Sequence, residues 1–392
     1  MNNNPSSKRE VWVDWMRITA CFMVFVVHST EPFYLGGDGS LLLTRADMYW
    51  ASFFDSFVRA CVPLFVVASS YLQFPLHYSA GEFFRRRAAR ILGPFIFWTV
   101  VYALIWGEPV HNFKDLLFNF NYSAGHLWFV YMLVGLYLIM PLLSPWAEKV
   151  SRKELTVYLC ICLATSLIPF VREVAEPGTA EVFYGTGGIP MPWKSPLWGE
   201  ASWNNYGMLY YMSGFIGYML LGLYLRRFPP QWSSLRNTIV AVACWLAGFA
   251  ISFTGFIRRV LQDCGGEFPI GGKCGVAVHW EIPWGYDTIG VVLMTVGWIL
   301  LFRRISCQGK FYRRIVLPVS KASYGMYLCH MIVLIAFSGL WRGVLGIGDG
   351  SSLGIFTQPV EIILTAVCTY VSVAVASILG QKIPVVGKYL FG

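Results

Sequence analysis

Ten apolar stretches, each close to the roughly 20 residues that a helix needs to cross a bilayer, recur along this chain of 392 residues. They run over 11–29, 48–70, 91–107, 126–143, 154–171, 206–225, 237–257, 284–302, 321–340 and 358–379. In hydrocarbon every backbone N–H and C=O must find its partner within the protein, so stretches of this length read as helices. Hydrophobic residues supply 56% of the sequence and charged ones 13%, against about 25% charge in a soluble domain. A water-facing surface cannot be built from that inventory. The expected fold is an all-α integral membrane protein, one domain over 1–392, built as a bundle of about ten transmembrane helices. The first stretch holds Asp14, Arg17 and His28, which sets it apart from a cleavable signal peptide, and it is expected to stay as the first helix.

The net charge of +9 would suggest nucleic acid in a soluble protein, yet its placement accounts for it here. With the N-terminus inside, 19 of the 30 Lys and Arg fall in the inner connections and eight in the outer ones. That asymmetry places both termini in the cytoplasm. The bilayer is the partner that the basic balance implies, and nucleic acid is not expected.

Eight of the ten cysteines lie in or beside apolar stretches, as small buried hydrophobes do. Cys264 and Cys274 bound the outer segment CGGEFPIGGKC, whose glycines and proline let its ends approach. A disulfide between them is expected in an oxidising exterior. Zinc-type spacing is absent, and no metal is expected. Two outer connections are long, 172–205 and 258–283. Each is either a solvated loop or a lid over an outward-facing site.

Ionisable residues inside spans are costly and either paired or functional. Arg17 and His28 are eleven residues apart, three turns plus about 20°, so they share a face about 16 Å apart. Asp14 precedes Arg17 by one turn and can hold it as an ion pair. Asp55 and Arg59 form a second self-neutralising pair, structural or functional. The inner run Arg85-Arg86-Arg87-Ala88-Ala89-Arg90 sets Arg87 and Arg90 one turn apart, a spacing at which guanidinium forks match phosphate oxygens; positive-inside charge explains a basic run equally well. His126 opens the fourth span as anchor or ligand, and Trp128 reads as an interface anchor. Tyr327 and His330 close the run SKASYGMYLCH in the ninth. Glu361 has no obvious local partner.

At these residues the chain resembles the acyltransferase-3 family of bacterial membrane acyltransferases. The resemblance rests on Arg17 with His28; on Arg87-x-x-Arg90-Ile91 followed by Pro94; on His126-Leu127-Trp128-Phe129 with Tyr137, Leu138 and Pro141; and on Ser323-Tyr324-Gly325 with Tyr327 and His330. Four short motifs stand in family order from Trp12 to about His330. Val62-Pro63-Leu64-Phe65 fits as well, although Ser69-Ser70 stands where the family usually has Ser-Gly. The chain is similar to the stand-alone branch, which includes enzymes like enterobacterial common antigen O-acetyltransferase.

The resemblance implies an O-acetyltransferase of the bacterial cell (inner) membrane. It would take acetyl, or another short acyl group, from acetyl-CoA as co-substrate, with no permanently bound cofactor. The acceptor implied is a hydroxyl of a surface glycan or its lipid-linked precursor. His28 becomes the essential histidine with Arg17 as its partner and Asp14 behind it. Arg87 and Arg90, with neighbouring Arg86, become the donor site. Arg59, His126, Trp128, Tyr327 and His330 become substrate or supporting residues. A sugar hydroxyl needs a base to take its proton, a role suited to imidazole, and a guanidinium in a dry site can stabilise the oxyanion that follows. An acetyl relay through His28 itself is the alternative. A rival from another class is a flippase for a lipid-linked sugar, against which stands the absence of detectable inverted repeats.

Overall fold

The computed structural model describes residues 9–35, 44–106, 122–167, 214–266, 280–345, 354–384 and 387–392. In chain order its helices are α1 (Val11–Thr30), α2 (Arg45–Val58), α3 (Cys61–Gln73), α4 (Ala80–Arg87), α5 (Gly93–Ile105), α6 (Trp128–Lys149) and α7 (Arg152–Ser166). Then come α8 (Phe215–Arg227), α9 (Ser234–Asp263), α10 (Ile289–Phe302), α11 (Leu317–Leu345), α12 (Thr357–Gly380) and the short α13 (Gly387–Phe391). No strand occurs among the described residues.

Eight helical stretches among the described residues are long and apolar enough to cross a membrane. They match eight of the ten expected ones. The other two, 154–171 and 206–225, coincide with α7 and α8, which are described over 15 and 13 residues. The outer connection 172–205 lies outside the described residues, as does 267–279 within the other. Cys264 is disulfide-bonded; Cys274, the partner expected for it, lies outside the described residues.

Two expected spans are interrupted, and proline explains both. The stretch 48–70 divides into α2 and α3 because Pro63 lacks the N–H that would bond to the carbonyl of Arg59. The stretch 91–107 begins earlier, at Ala80, and passes through one π-helical turn at Ala88–Leu92. Pro94 cannot bond the Arg90 carbonyl, and a widened turn absorbs the defect. Each break sits beside an arginine, Arg59 at the first and Arg90 at the second.

Helix α1 is the centre of the bundle. It is apolar nearly all round, which in a helix signals burial on every side. Fourteen of its 20 residues are buried, against α2, α3, α10, α11 and α12. At its start Asp14 does not hold Arg17. It accepts from Arg9 at 2.6 and 2.7 Å, from the Tyr312 hydroxyl at 2.7 Å and from Ser320 at 2.6 Å. The i,i+3 pair expected from spacing loses because Arg9, Tyr312 in the π-helical turn before α11, and Ser320 on α11 bring more donors to the same carboxylate. Asp14 therefore ties the N-terminus to α11. The peripheral helices turn large apolar side chains outward, among them Leu142, Leu235 and Leu246, a surface that requires lipid.

Without a hydrophobic drive between helices in lipid, close packing of small residues does the joining. Along the α9–α10 seam a Cβ on Gly248 would meet the Gly290 carbonyl and lie 2.8 Å from the Met294 backbone nitrogen. Gly248→Val is therefore expected to lose about 1–3 kcal/mol through overpacking. A thermal shift of the purified protein in detergent would show it, and an unchanged midpoint would mean that the helices do not approach this closely.

Candidate active site

A cavity of about 1270 Å³ lies beside α1 and reaches both Arg17 and His28. Its first end is basic. Arg17, Arg87, Arg90 and Lys321 line it, and none of the four has a carboxylate partner among the described residues. The Arg87 guanidinium lies over the rings of Phe83 and Tyr137, at 5.6 and 5.7 Å from their centres, and its Nε is buried with no hydrogen-bond partner. Arg17 Nη2 donates to Ser323 Oγ at 3.3 Å. The Tyr324 hydroxyl donates to the Ile91 carbonyl at 2.8 Å, so α11 pins the π turn that carries Arg90. Arg86 stands apart. It pairs with Glu82 and lies over Tyr78, and it does not line the cavity.

At the second end, His28 Nδ1 is 2.8 Å from Glu31 Oε2. A carboxylate only accepts, so Nδ1 donates to it, and Nε2 is the ring atom left to act as a base. Its partner is thus Glu31, one turn on, and not Arg17, which the rise of the helix keeps about 16 Å away. Two further histidines close in. The ring centres of His28 and His330 are 5.1 Å apart, those of His126 and His330 5.3 Å, and those of His28 and His126 6.4 Å. His330 is fully buried under Phe25 and bonds the Tyr327 carbonyl through Nδ1. The Tyr327 hydroxyl donates to the His126 carbonyl. Helix α11 thereby fixes the 3-10 segment Tyr122–Leu127 that carries His126. No cluster of His, Cys, Asp or Glu fit to hold a metal occurs among the described residues.

The wall beyond His28 is aromatic and acidic. Arg59 pairs with Asp55 at 2.8 Å, as the spacing predicts, and also reaches Glu281 at 3.5 Å. Tyr34 donates to Glu281 at 2.7 Å. Burial pushes the Glu281 carboxyl up, with Arg59 and the Tyr34 hydroxyl pulling the other way. Trp128, Phe215 and Tyr286 form one face, with Trp128 and Tyr286 stacked at 5.5 Å. The anchor role read for Trp128 therefore gives way to a position on the cavity wall.

A family model described as an acyltransferase domain matches residues 10–380. The chain belongs to the acyltransferase-3 family. Neither a curated protein nor a solved structure matches it. The acyltransferase assignment and the geometry meet at α1, whose two ends supply Arg17 and His28 to one cavity. Sequence reasoning missed Glu31, although its i,i+3 spacing from His28 is a legible signal. It also missed Phe215, Glu281, Tyr286 and Asp287, which lie far away in the chain and outside any periodic pattern. Glu361 does find partners, Arg342 and Ser338, both at 3.0 Å.

Proposed function

We propose that this acyltransferase carries an acetyl group from acetyl-CoA, bound at the basic end, to a hydroxyl of a surface glycan or its lipid-linked precursor at the His28 end. The observation that carries this reading is the single cavity joining four cations that lack carboxylate partners to the His28–Glu31 pair. Cations without carboxylates favour an anionic ligand, and the phosphates of CoA supply the matching charge. The positive-inside count puts that end on the cytoplasmic side, where acetyl-CoA is made, in a bacterial cell membrane.

In this reading His28 Nε2 removes the acceptor proton as the hydroxyl oxygen attacks the thioester carbonyl carbon. A C–O bond forms, the C–S bond breaks, and the proton passes from His28 to the leaving thiolate. Glu31 holds the ring and stabilises the imidazolium while it exists. His126, whose ring centre is 6.4 Å from that of His28 and whose Nε2 has no protein partner, is the group assigned to the oxyanion or the acceptor, a role that Arg17 is too distant to fill.

Glycan mass spectrometry of cells with and without the protein tests the reading. Loss of one acetyl group per repeat in the deleted strain is expected. Identical glycans, together with no acetyl-CoA consumption by the purified protein, would return the chain to the flippase alternative.

A further inference from the structure

We infer that the wall beyond His28 is an acceptor subsite that selects a sugar ring without an acidic group; this rests on the glycan reading above. Three observations carry it. First, Trp128, Phe215 and Tyr286 line the cavity as one aromatic cluster, with ring centres 5.5 to 6.0 Å apart. An aromatic cluster suits the apolar side of a pyranose, which presents C–H bonds to it while its hydroxyls point outward. Secondly, His126 is 8% exposed and lines the cavity, and its buried Nε2 has no partner. That is a hydrogen-bonding group held ready for a ligand.

Thirdly, the charge here is opposite to that at the donor end. Glu31, Glu281 and Asp287 line this part of the cavity, with Arg59 beside them. Arg59 is shared between Glu281 and Asp55, and Glu31 is engaged by His28. Asp287 has no cationic partner among the described residues. A carboxylate can accept hydrogen bonds from sugar hydroxyls, but it repels a second carboxylate or a phosphate. At about 5 Å and an effective dielectric of about 20, one like-charge contact of this kind disfavours binding by more than about tenfold. The two ends thus sort their ligands by charge, and an anionic glycan is refused where anionic CoA is not required.

Octyl β-glucoside and octyl β-glucuronide, which differ at C6 (a hydroxymethyl in one, a carboxylate in the other), serve as acceptors for the purified protein with labelled acetyl-CoA, and the uncharged methyl ester of the glucuronide controls for the lost hydroxyl. Wild type is expected to acetylate both the glucoside and the methyl ester at least about tenfold faster than the glucuronide. Asp287→Asn should narrow that gap by speeding the glucuronide, and Tyr286→Ala should raise KM for the glucoside while leaving donor affinity as it was. Equal rates on the two glycosides in wild type would overturn the inference and leave the glycan reading standing. A gap untouched by Asp287→Asn would overturn it too. Acetyl-CoA turnover with neither glycoside acetylated would instead remove the glycan reading, and this inference with it.

Discussion

His28→Ala is expected to fold, insert and bind acetyl-CoA, yet to transfer acetyl at least about 10²- to 10⁴-fold more slowly than wild type. The ring it removes carries a lone pair in the cavity and a carboxylate behind it. Nothing nearby can substitute. His330 is sealed under Phe25 and bonded through Nδ1 to the Tyr327 carbonyl, and His126 is held on a different element. His330→Ala and His126→Ala should therefore keep partial activity. Glu31→Gln should fall between them and His28→Ala, because it keeps an acceptor for Nδ1–H but removes the charge that favours imidazolium. Intact-protein mass after incubation with acetyl-CoA alone separates direct attack from a relay. One added acetyl on wild type, missing in His28→Ala, supports a covalent step on His28. Transfer by His28→Ala near the wild-type rate would sink the assignment.

Donor affinity is expected to fall in Arg87→Ala and Arg90→Ala, with Arg86→Ala as the control that leaves it intact. Truncating one partner of a buried charge pair typically costs about 2–5 kcal/mol. Arg90 is exposed, so its loss should lie near the lower end, about 30-fold in affinity. Arg87 is half-buried against the packed rings of Phe83 and Tyr137 and should lose more. Arg87→Lys should be a poor replacement, because an ammonium has no planar fork to lie on those rings and meet a phosphate at once. Equilibrium binding of acetyl-CoA to each variant decides. Equal affinity in Arg86→Ala, Arg87→Ala and Arg90→Ala would mean that all three serve only as positive-inside charge.

Length, hydropathy and charge sufficed for the membrane class, the helical fold and most of the spans, because a bilayer imposes those constraints on each segment separately. The pairing of Asp55 with Arg59 was legible for a similar reason, since helical spacing alone brings the two side chains together. The same rule failed for Asp14 and Arg17. Local spacing allowed their pair, but Arg9, Tyr312 and Ser320 offered the Asp14 carboxylate better partners from elsewhere in the chain. The shared face of Arg17 and His28 held, and their separation of about 16 Å sets them at two ends of one cavity. Sequence placed His28, His126 and His330 in three separate motifs. Only the packing of α11 beside α1, with Tyr327 holding the 3-10 segment that carries His126, brought their rings within 5.1 to 6.4 Å. Sequence by itself thus determined which segments enter the membrane and which residue types stand ready for chemistry. Tertiary structure decided which of them meet, because a contact between distant segments depends on every helix packed between them, and no periodicity in the chain records it.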